Sequence, residues 1–385
     1  MDHTYDVIVV GAGYIGSSVA YNLCKAGLRT ALFDKGSIAA GASRANYGNI
    51  QIQDMELSKS IEMINLARTR FSTLEQELDW KVGLRKIGGL LPIENENQWN
   101  ILEARMKAVN AAGIPSELIS TNRLKEVEPL IDTRGLLGGL YHAYEGQVDP
   151  FQLIWGYLMR ARQKGLKEYY FHEVTGFDVQ NGHLVGIKTP QGSFSAGCVV
   201  LCTGAHTNHL GNLIGCDWKV HYVLGQAMVT EPVGLELRNH VASASFFEQG
   251  AQVPKGTVLA NMALSQSGHG HILLGEAMYE ADHFQRHIPP QSLPSISTSV
   301  LRFFPIFNQL RILRSWSAPI ADTSDSCPLL GPVVGMPGLF IATAFRSTVI
   351  VTPLVGETIA QLITQGTSEL DIQYFSPERK INYAN

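Results

Sequence analysis

Glycines at positions 11, 13 and 16 of "VIVVGAGYIG" have the spacing G-x-G-x-x-G, and an acid, Asp34, follows 18 residues after Gly16 (34 − 16). That pattern suits one kind of chemistry. The first glycine permits a tight turn, the second lets backbone amides approach a pyrophosphate, and the third lets a helix pack closely on a strand. The acid accepts hydrogen bonds from ribose hydroxyls and repels a 2′-phosphate, so a dinucleotide is expected and NADP is disfavoured. Other reactive types are scattered. The five cysteines (24, 198, 202, 216 and 327) form no C-x-x-C pair, which argues against a disulfide framework or a zinc site. His269 and His271 share one face of an expected strand, but no further ligands flank them, and no metal is expected.

The glycine pattern needs a strand before it and a helix after it. Residues 6–10 read as a buried strand, the stretch to about residue 26 as a helix, and residues 29–34 as a second strand, a βαβ unit of about 30 residues. A small-residue loop, 36–53, follows. Helices are expected over 55–78, 97–112 and 121–127, and "LRKIGGLLPIENEN" reads as a strand kinked at Gly-Gly. Asp149 is placed to cap a helix that has Pro150 at its first position. Strands are expected at 168–171, 174–180, 184–188 and 198–206. From 218 to 316 longer strand-like runs dominate, interrupted by a helix near 293–307. A strand, a Gly/Pro turn, a strand and a closing helix finish the chain.

At 385 residues, about two domains are expected. An apolar content of 45% and a charged content of 17% suit a folded globular protein. The net charge of −4 gives no reason to expect nucleic acid. No signal peptide or spanning stretch is recognised, so a cytoplasmic location is expected, with peripheral attachment to an inner membrane through partners left open.

Further segments carry a resemblance. "GASRANYGNIQ", "GQVDPFQL", "VVLCTGAHTNHL", "LGQAMVTEP" and "CPLLGPVVGMPGLFIATAF" occur in that order along the chain. Together they resemble the D-amino-acid oxidase superfamily of FAD-dependent oxidoreductases, of the glycine and sarcosine oxidase type. Nearest among these are the catalytic β subunits of bacterial hetero-oligomeric opine oxidases, hydrogen cyanide synthase, and proline and hydroxyproline dehydrogenases. The resemblance implies an α/β plus β fold: a discontinuous Rossmann-like FAD domain (1–84, 142–217 and 325–385), and a smaller substrate domain (85–141 and 218–324) on a mixed, largely antiparallel sheet. It implies non-covalent FAD and an amino-acid-type substrate: an amino acid, opine, imino acid, sarcosine or glycine. The C–N bond would be oxidised by hydride transfer to flavin N5, and the imine then hydrolysed. Partner subunits carrying further redox centres are compatible with it. A 2-hydroxy-acid dehydrogenase and an FAD-bearing electron-transfer or assembly subunit are the alternatives.

The same resemblance assigns cofactor contacts to Gly11, Gly13, Tyr14, Ile15, Gly16, Asp34, Lys35, Ser43, Arg44, Asn46, Tyr47, Gly48, Val174, Thr203, Gly204, Arg346, Ser347, Thr348 and Val349. It points to Arg346, Tyr47 and Tyr222 for substrate and catalysis, with His221 a weaker candidate. Arg346 is the expected carboxylate clamp, because its planar fork matches two oxygens. The chain also departs from the pattern. Ile320 stands where relatives carry a carboxylate-binding Arg, and Ala263 where they carry a Tyr. Thr343 and Ala344 replace a Gly-His pair, and Thr348 replaces a glycine. The usual clamp is incomplete, which suits a larger, N-substituted amino acid better than glycine. Cys327 and Trp316 are expected in the core or wall.

Overall fold

The structure is a computed structural model that describes residues 4–249, 253, 256–280 and 287–379. The ends of the expected FAD segments, residues 1–3 and 380–385, lie outside the described residues.

The strand Thr4–Val10 sets the pattern of the first sheet. Val7 and Val9 point to one face and Ile8 and Val10 to the other, and all four are buried. A strand buried on both faces reads as a continuous apolar run rather than an alternating one. It lies between Thr30–Asp34 and Gly192–Leu201, parallel to both. Lys167–Tyr170 extends the parallel order on one side and Leu339–Thr343 on the other. An antiparallel ribbon, Gly176–Gln180 and His183–Thr189, pairs with the first half of Gly192–Leu201.

Helices Tyr14–Lys25, Leu57–Leu78, Pro150–Gln163 and Thr348–Gln365 share one core over the first face. Asp149 caps the third of these by accepting from the Phe151 and Gln152 amides, both at 2.9 Å, with Pro150 at the first position as expected. On the other face Phe33 stacks on Tyr169 at 4.5 Å and meets Phe194 edge-on at 4.8 Å.

The second sheet runs Ile312–Asp322, His221–Pro232, His271–Tyr279, Val258–Gln266, His240–Ala242, Gly89–Ile93, Gly138–His142 and Glu117–Ile119. Every pairing is antiparallel except that of His240–Ala242 with Gly89–Ile93. Helix Ser292–Phe303 packs on one face through Ile296, Val300 and Phe303. The Gly-Gly kink separates two sheets: Arg85–Lys86 joins a small three-stranded sheet with Asn49–Ile50 and Gly146–Gln147, while Gly89–Ile93 enters the large antiparallel one. The expected strand at 198–206 is longer at its start and stops at Leu201, where the chain turns.

Among the described residues no helix is long and apolar enough to cross a membrane. No group of three His, Cys, Asp or Glu among them is placed to hold a metal.

Candidate active site

Two cavities share a wall between the sheets. The first, about 620 Å³, opens at the carboxyl ends of the parallel strands, the ordinary ligand position in such a sheet. Gly11, Gly13, Tyr14, Ile15, Asp34, Lys35, Ser43, Arg44, Val174, Thr203, Gly204 and Thr348 line it. The second, about 320 Å³, lies between the start of the closing helix and the antiparallel sheet. Asn46, Tyr47, Arg346, Ser347, Thr348 and Val349 line it together with Ile320, Ala263 and Trp316. Tyr14, Ser43, Ile320, Phe345 and Thr348 belong to both walls.

The first cavity fits a dinucleotide. Gly11 has φ +109°, and a methyl group there would lie 2.3 Å from the Cys202 carbonyl oxygen. At Gly16 it would lie 1.7 Å from the Gly11 carbonyl oxygen, so the helix can sit on the turn only without a side chain. The helix Tyr14–Lys25 begins at Gly13, which has no side chain to cap it; the Tyr14 amide donates to Ser43 Oγ at 3.2 Å, and the rest of the amino end is suited to an anion. Asp34 Oδ2 accepts from the Ala12 amide at 2.8 Å and Oδ1 from the Gly36 amide at 2.7 Å. Its carboxylate thereby fixes the turn while each oxygen keeps a second acceptor site for a hydroxyl. Lys35 Nζ approaches His206 Nδ1 at 3.4 Å beside it.

Four of the expected residues line neither cavity. Gly16 and Gly48 serve close packing rather than either cavity; a methyl at Gly48 would meet the Val148 carbonyl oxygen at 2.0 Å. Tyr222 lines neither cavity, although its strand lends Val223, Gly225, Gln226 and Ala227 to the second. His221 lines neither cavity.

The polar groups of the second cavity are unevenly matched. Arg346 Nη2 donates to Asp322 Oδ2 at 2.6 Å and Nε to Oδ1 at 3.3 Å, leaving Nη1 outside the pair. Burial pulls its pKa down, but the Asp322 carboxylate outweighs that and the net shift is upward. The expected clamp is therefore already engaged by an acid of its own chain. Ser347, at φ +45° before the closing helix, donates to Asp54.

The Tyr47 hydroxyl is buried with no hydrogen-bond partner among the described residues, and burial, then the Glu276 charge, pushes its pKa well up, so it stays a donor. Trp316 meets the Tyr47 ring edge-on at 6.5 Å and donates from Nε1 to the Ala45 carbonyl at 3.0 Å. Glu276, on strand His271–Tyr279, is pushed up to about 7, by burial first and Asp54 second, with Arg346 pulling the other way. Among the described residues it makes no hydrogen bond or ion pair.

Gln53, Asp54, Asn261, Glu276 and Asp322 on this wall were not recognised in the sequence. One signal was present for Glu276: an acid within the apolar run "HILLGEAMYE", on a strand with apolar neighbours to either side. For Asp322, at the end of "WSAPIAD", there was none, because its partner is 24 residues away.

A family model described as DAO, FAD dependent oxidoreductase, matches residues 6–362. The chain belongs to this family. FAD is the cofactor of this oxidoreductase. The flavoenzyme is 29% identical to glycine oxidase of Geobacillus kaustophilus over 99% of this chain and 98% of that one. It is 24% identical to sarcosine oxidase subunit beta of Rhodobacter capsulatus, over 96% and 87%. Its fold matches the crystal structures of the Geobacillus kaustophilus glycine oxidase (TM-score 0.88, 24% identity, 99% and 100% covered) and of L-proline dehydrogenase from P. horikoshii (TM-score 0.87, 24% identity, 98% and 98% covered).

Proposed function

We propose that this flavoenzyme oxidises the C–N bond of an amino acid or N-substituted amino acid. Segments 1–84, 142–217 and 325–385 would hold FAD without a covalent link, and 85–141 and 218–324 would shape the substrate site. The observation that carries the reading is the continuity of the two cavities. A dinucleotide seated on the glycine turn leads, across Tyr14, Ser43, Ile320 and Thr348, into a second, partly apolar chamber with polar groups on its wall. The names of the relatives support the same reaction class.

FAD, when bound, supplies a two-electron acceptor for a hydride. In the overall change the carbon bearing nitrogen loses a hydride and the nitrogen a proton. Water then adds to the imine, and the C–N bond breaks to give a carbonyl compound and an amine. The chain's own part is to bind, orient and keep water out until then. Val223, Ala227, Met262, Ile320 and Phe345 supply apolar wall. The Tyr47 hydroxyl, kept protonated, can donate to a substrate carboxylate that Arg346, held by Asp322, cannot grip with its full fork. Cys202 lies beside the glycine turn, but burial pushes its thiol pKa up, so it stays a neutral thiol there. Partner subunits are compatible with this reading, since one relative is itself a β subunit.

Anaerobic titration of the holoprotein with amino acids, N-alkyl amino acids and 2-hydroxy acids of matched skeleton tests the reaction class. The flavin's visible band bleaches with the amines and not with the hydroxy acids. Bleaching by hydroxy acids alone overturns the proposal.

A further inference from the structure

The charges around the second cavity run opposite to those of a site built around a substrate carboxylate. Among the described residues Asp54, Glu276 and Asp322 lie on its wall with one arginine, Arg346, whose Nε and Nη2 are taken by Asp322; Arg105, whose charge reaches Asp54, donates to the Ile52 and Met55 carbonyls. The positions expected to carry a carboxylate-binding Arg and Tyr, 320 and 263, do line this cavity, as Ile320 and Ala263. Glu276 stands next to the first of them: a methyl group built on Gly225 would lie 2.6 Å from Ile320 Cδ1 and 4.0 Å from Glu276 Oε2. A carboxylate thus occupies the neighbourhood in which a guanidinium was expected. It is half-buried and makes no ion pair among the described residues, an arrangement that is costly unless a cation meets it.

A second observation, from another element, points to the same ligand chemistry. Gln53 is 3% exposed and lines the same cavity. Its Nε2 donates to Glu145 Oε2 at 3.0 Å. The Glu145 carboxylate is fixed by accepting from the Ile52 amide at 2.8 Å and by its 2.6 Å bond to His240 Nε2. A carboxylate paired in this way takes the NH₂ end of the amide, so the Gln53 orientation is set and Oε1 is the end left over. Oε1 is buried without a hydrogen-bond partner among the described residues. A buried acceptor of this kind calls for an N–H or O–H donor.

We propose that Glu276 is a specificity-determining residue that binds a positively charged group of the substrate, with Gln53 Oε1 as a neutral acceptor on the same wall. The substrate class is then a basic one: an amino acid whose side chain or N-substituent ends in an ammonium or guanidinium. This rests on the C–N oxidation reading and narrows it. A substrate with a second carboxylate in place of the cation is disfavoured by like charge.

The test separates the two readings by using ligands that cannot be oxidised. Butylguanidinium and pentanoate, similar in length and opposite in charge, are titrated calorimetrically into the holoprotein. The wild type binds butylguanidinium about tenfold or more tighter than pentanoate, the size of a charge-assisted hydrogen bond. Glu276→Gln weakens butylguanidinium binding by about tenfold or more and leaves pentanoate equal or tighter, and Glu276→Asp keeps the cation preference. A merely structural Glu276 would shift both ligands together. Tighter pentanoate binding by the wild type overturns the proposal, because it makes Glu276 a neutral donor to an anion. No binding of butylguanidinium, or a Glu276→Gln affinity within about twofold of wild type, overturns it as well. Flavin bleaching by amino acids is read separately. Cation preference without bleaching sinks the C–N reading alone, and bleaching without cation preference sinks the Glu276 assignment alone.

Discussion

Asp34 and Glu276 are both carboxylates, but their surroundings make them opposites. Asp34 takes two backbone amides, which holds the glycine turn in shape for the cofactor. Asp34→Ala removes those acceptors and the hydroxyl site together. We expect FAD affinity to fall by about tenfold or more, seen as a lower ratio of flavin to protein absorbance after gel filtration. Glu276 has Tyr47 and Asp54 facing it from the loop side and Arg346 from the turn before the closing helix. Its folded pKa of about 7 lies above the ordinary glutamate value of 4.5. The folded state therefore holds the proton more tightly than the unfolded chain, and stability falls as pH rises between those two values. Glu276→Gln removes that loss: the variant melts above wild type at pH 8 by the equivalent of about 1–2 kcal/mol, a gap that closes towards pH 5 in paired calorimetric scans. Cation binding by the wild type strengthens over the same rise in pH, as Glu276 ionises. At this scale the sequence displayed the glycines and Asp34 plainly, because their spacing is local. Asp54, Gln53 and Asp322 were invisible in it, because their roles come from residues far along the chain or from the wall they share.

Among the elements, the first and last helices matter most to the cofactor site. They cross so closely that a methyl on Gly356 would lie 2.2 Å from Ser18 Oγ. Gly356→Val pushes the first helix, and with it the glycine turn, off the sheet. We expect a loss of about 1–3 kcal/mol in the denaturant midpoint analysis, together with reduced flavin retention. The helices and the βαβ unit were legible because capping residues and apolar periodicity are local signals. Asp149 with Pro150 and the strand Thr4–Val10 are examples. Less legible was which sheet each strand would join. "LRKIGGLLPI" reads as one kinked strand, yet its halves pair in different sheets, a choice made by partners at Gly146–Gln147 and Gly138–His142. Tyr222 lies on an expected strand, but that it lines neither cavity could not be read there, because the register with Ile312–Asp322 and the irregularity after Gln226 set what that strand presents.

Across the whole molecule, the Arg346–Asp322 pair ties the edge strand of the antiparallel sheet to the turn before the closing helix of the parallel one. Both side chains are mostly buried, at 17% and 12% exposure. Asp322→Asn strands the guanidinium beside the second cavity and costs about 3 kcal/mol, read from chemical denaturation. The double variant Asp322→Asn, Arg346→Met recovers part of that loss, because the lone buried cation is gone. The discontinuous order of cofactor and substrate segments could be read from the sequence only through the matched motifs. Periodicity alone shows where strands are, not that strands of the first and last segments pair with Gly192–Leu201.

The most direct test of the central claim is an anaerobic single turnover of the holoprotein with an N-substituted basic amino acid, followed by quantification of flavin reduced, carbonyl compound formed and amine released. One equivalent of each per flavin is the predicted result. Reduction of the flavin with no amine released, or no reduction by any amine while a 2-hydroxy acid reduces it fully, would contradict the account.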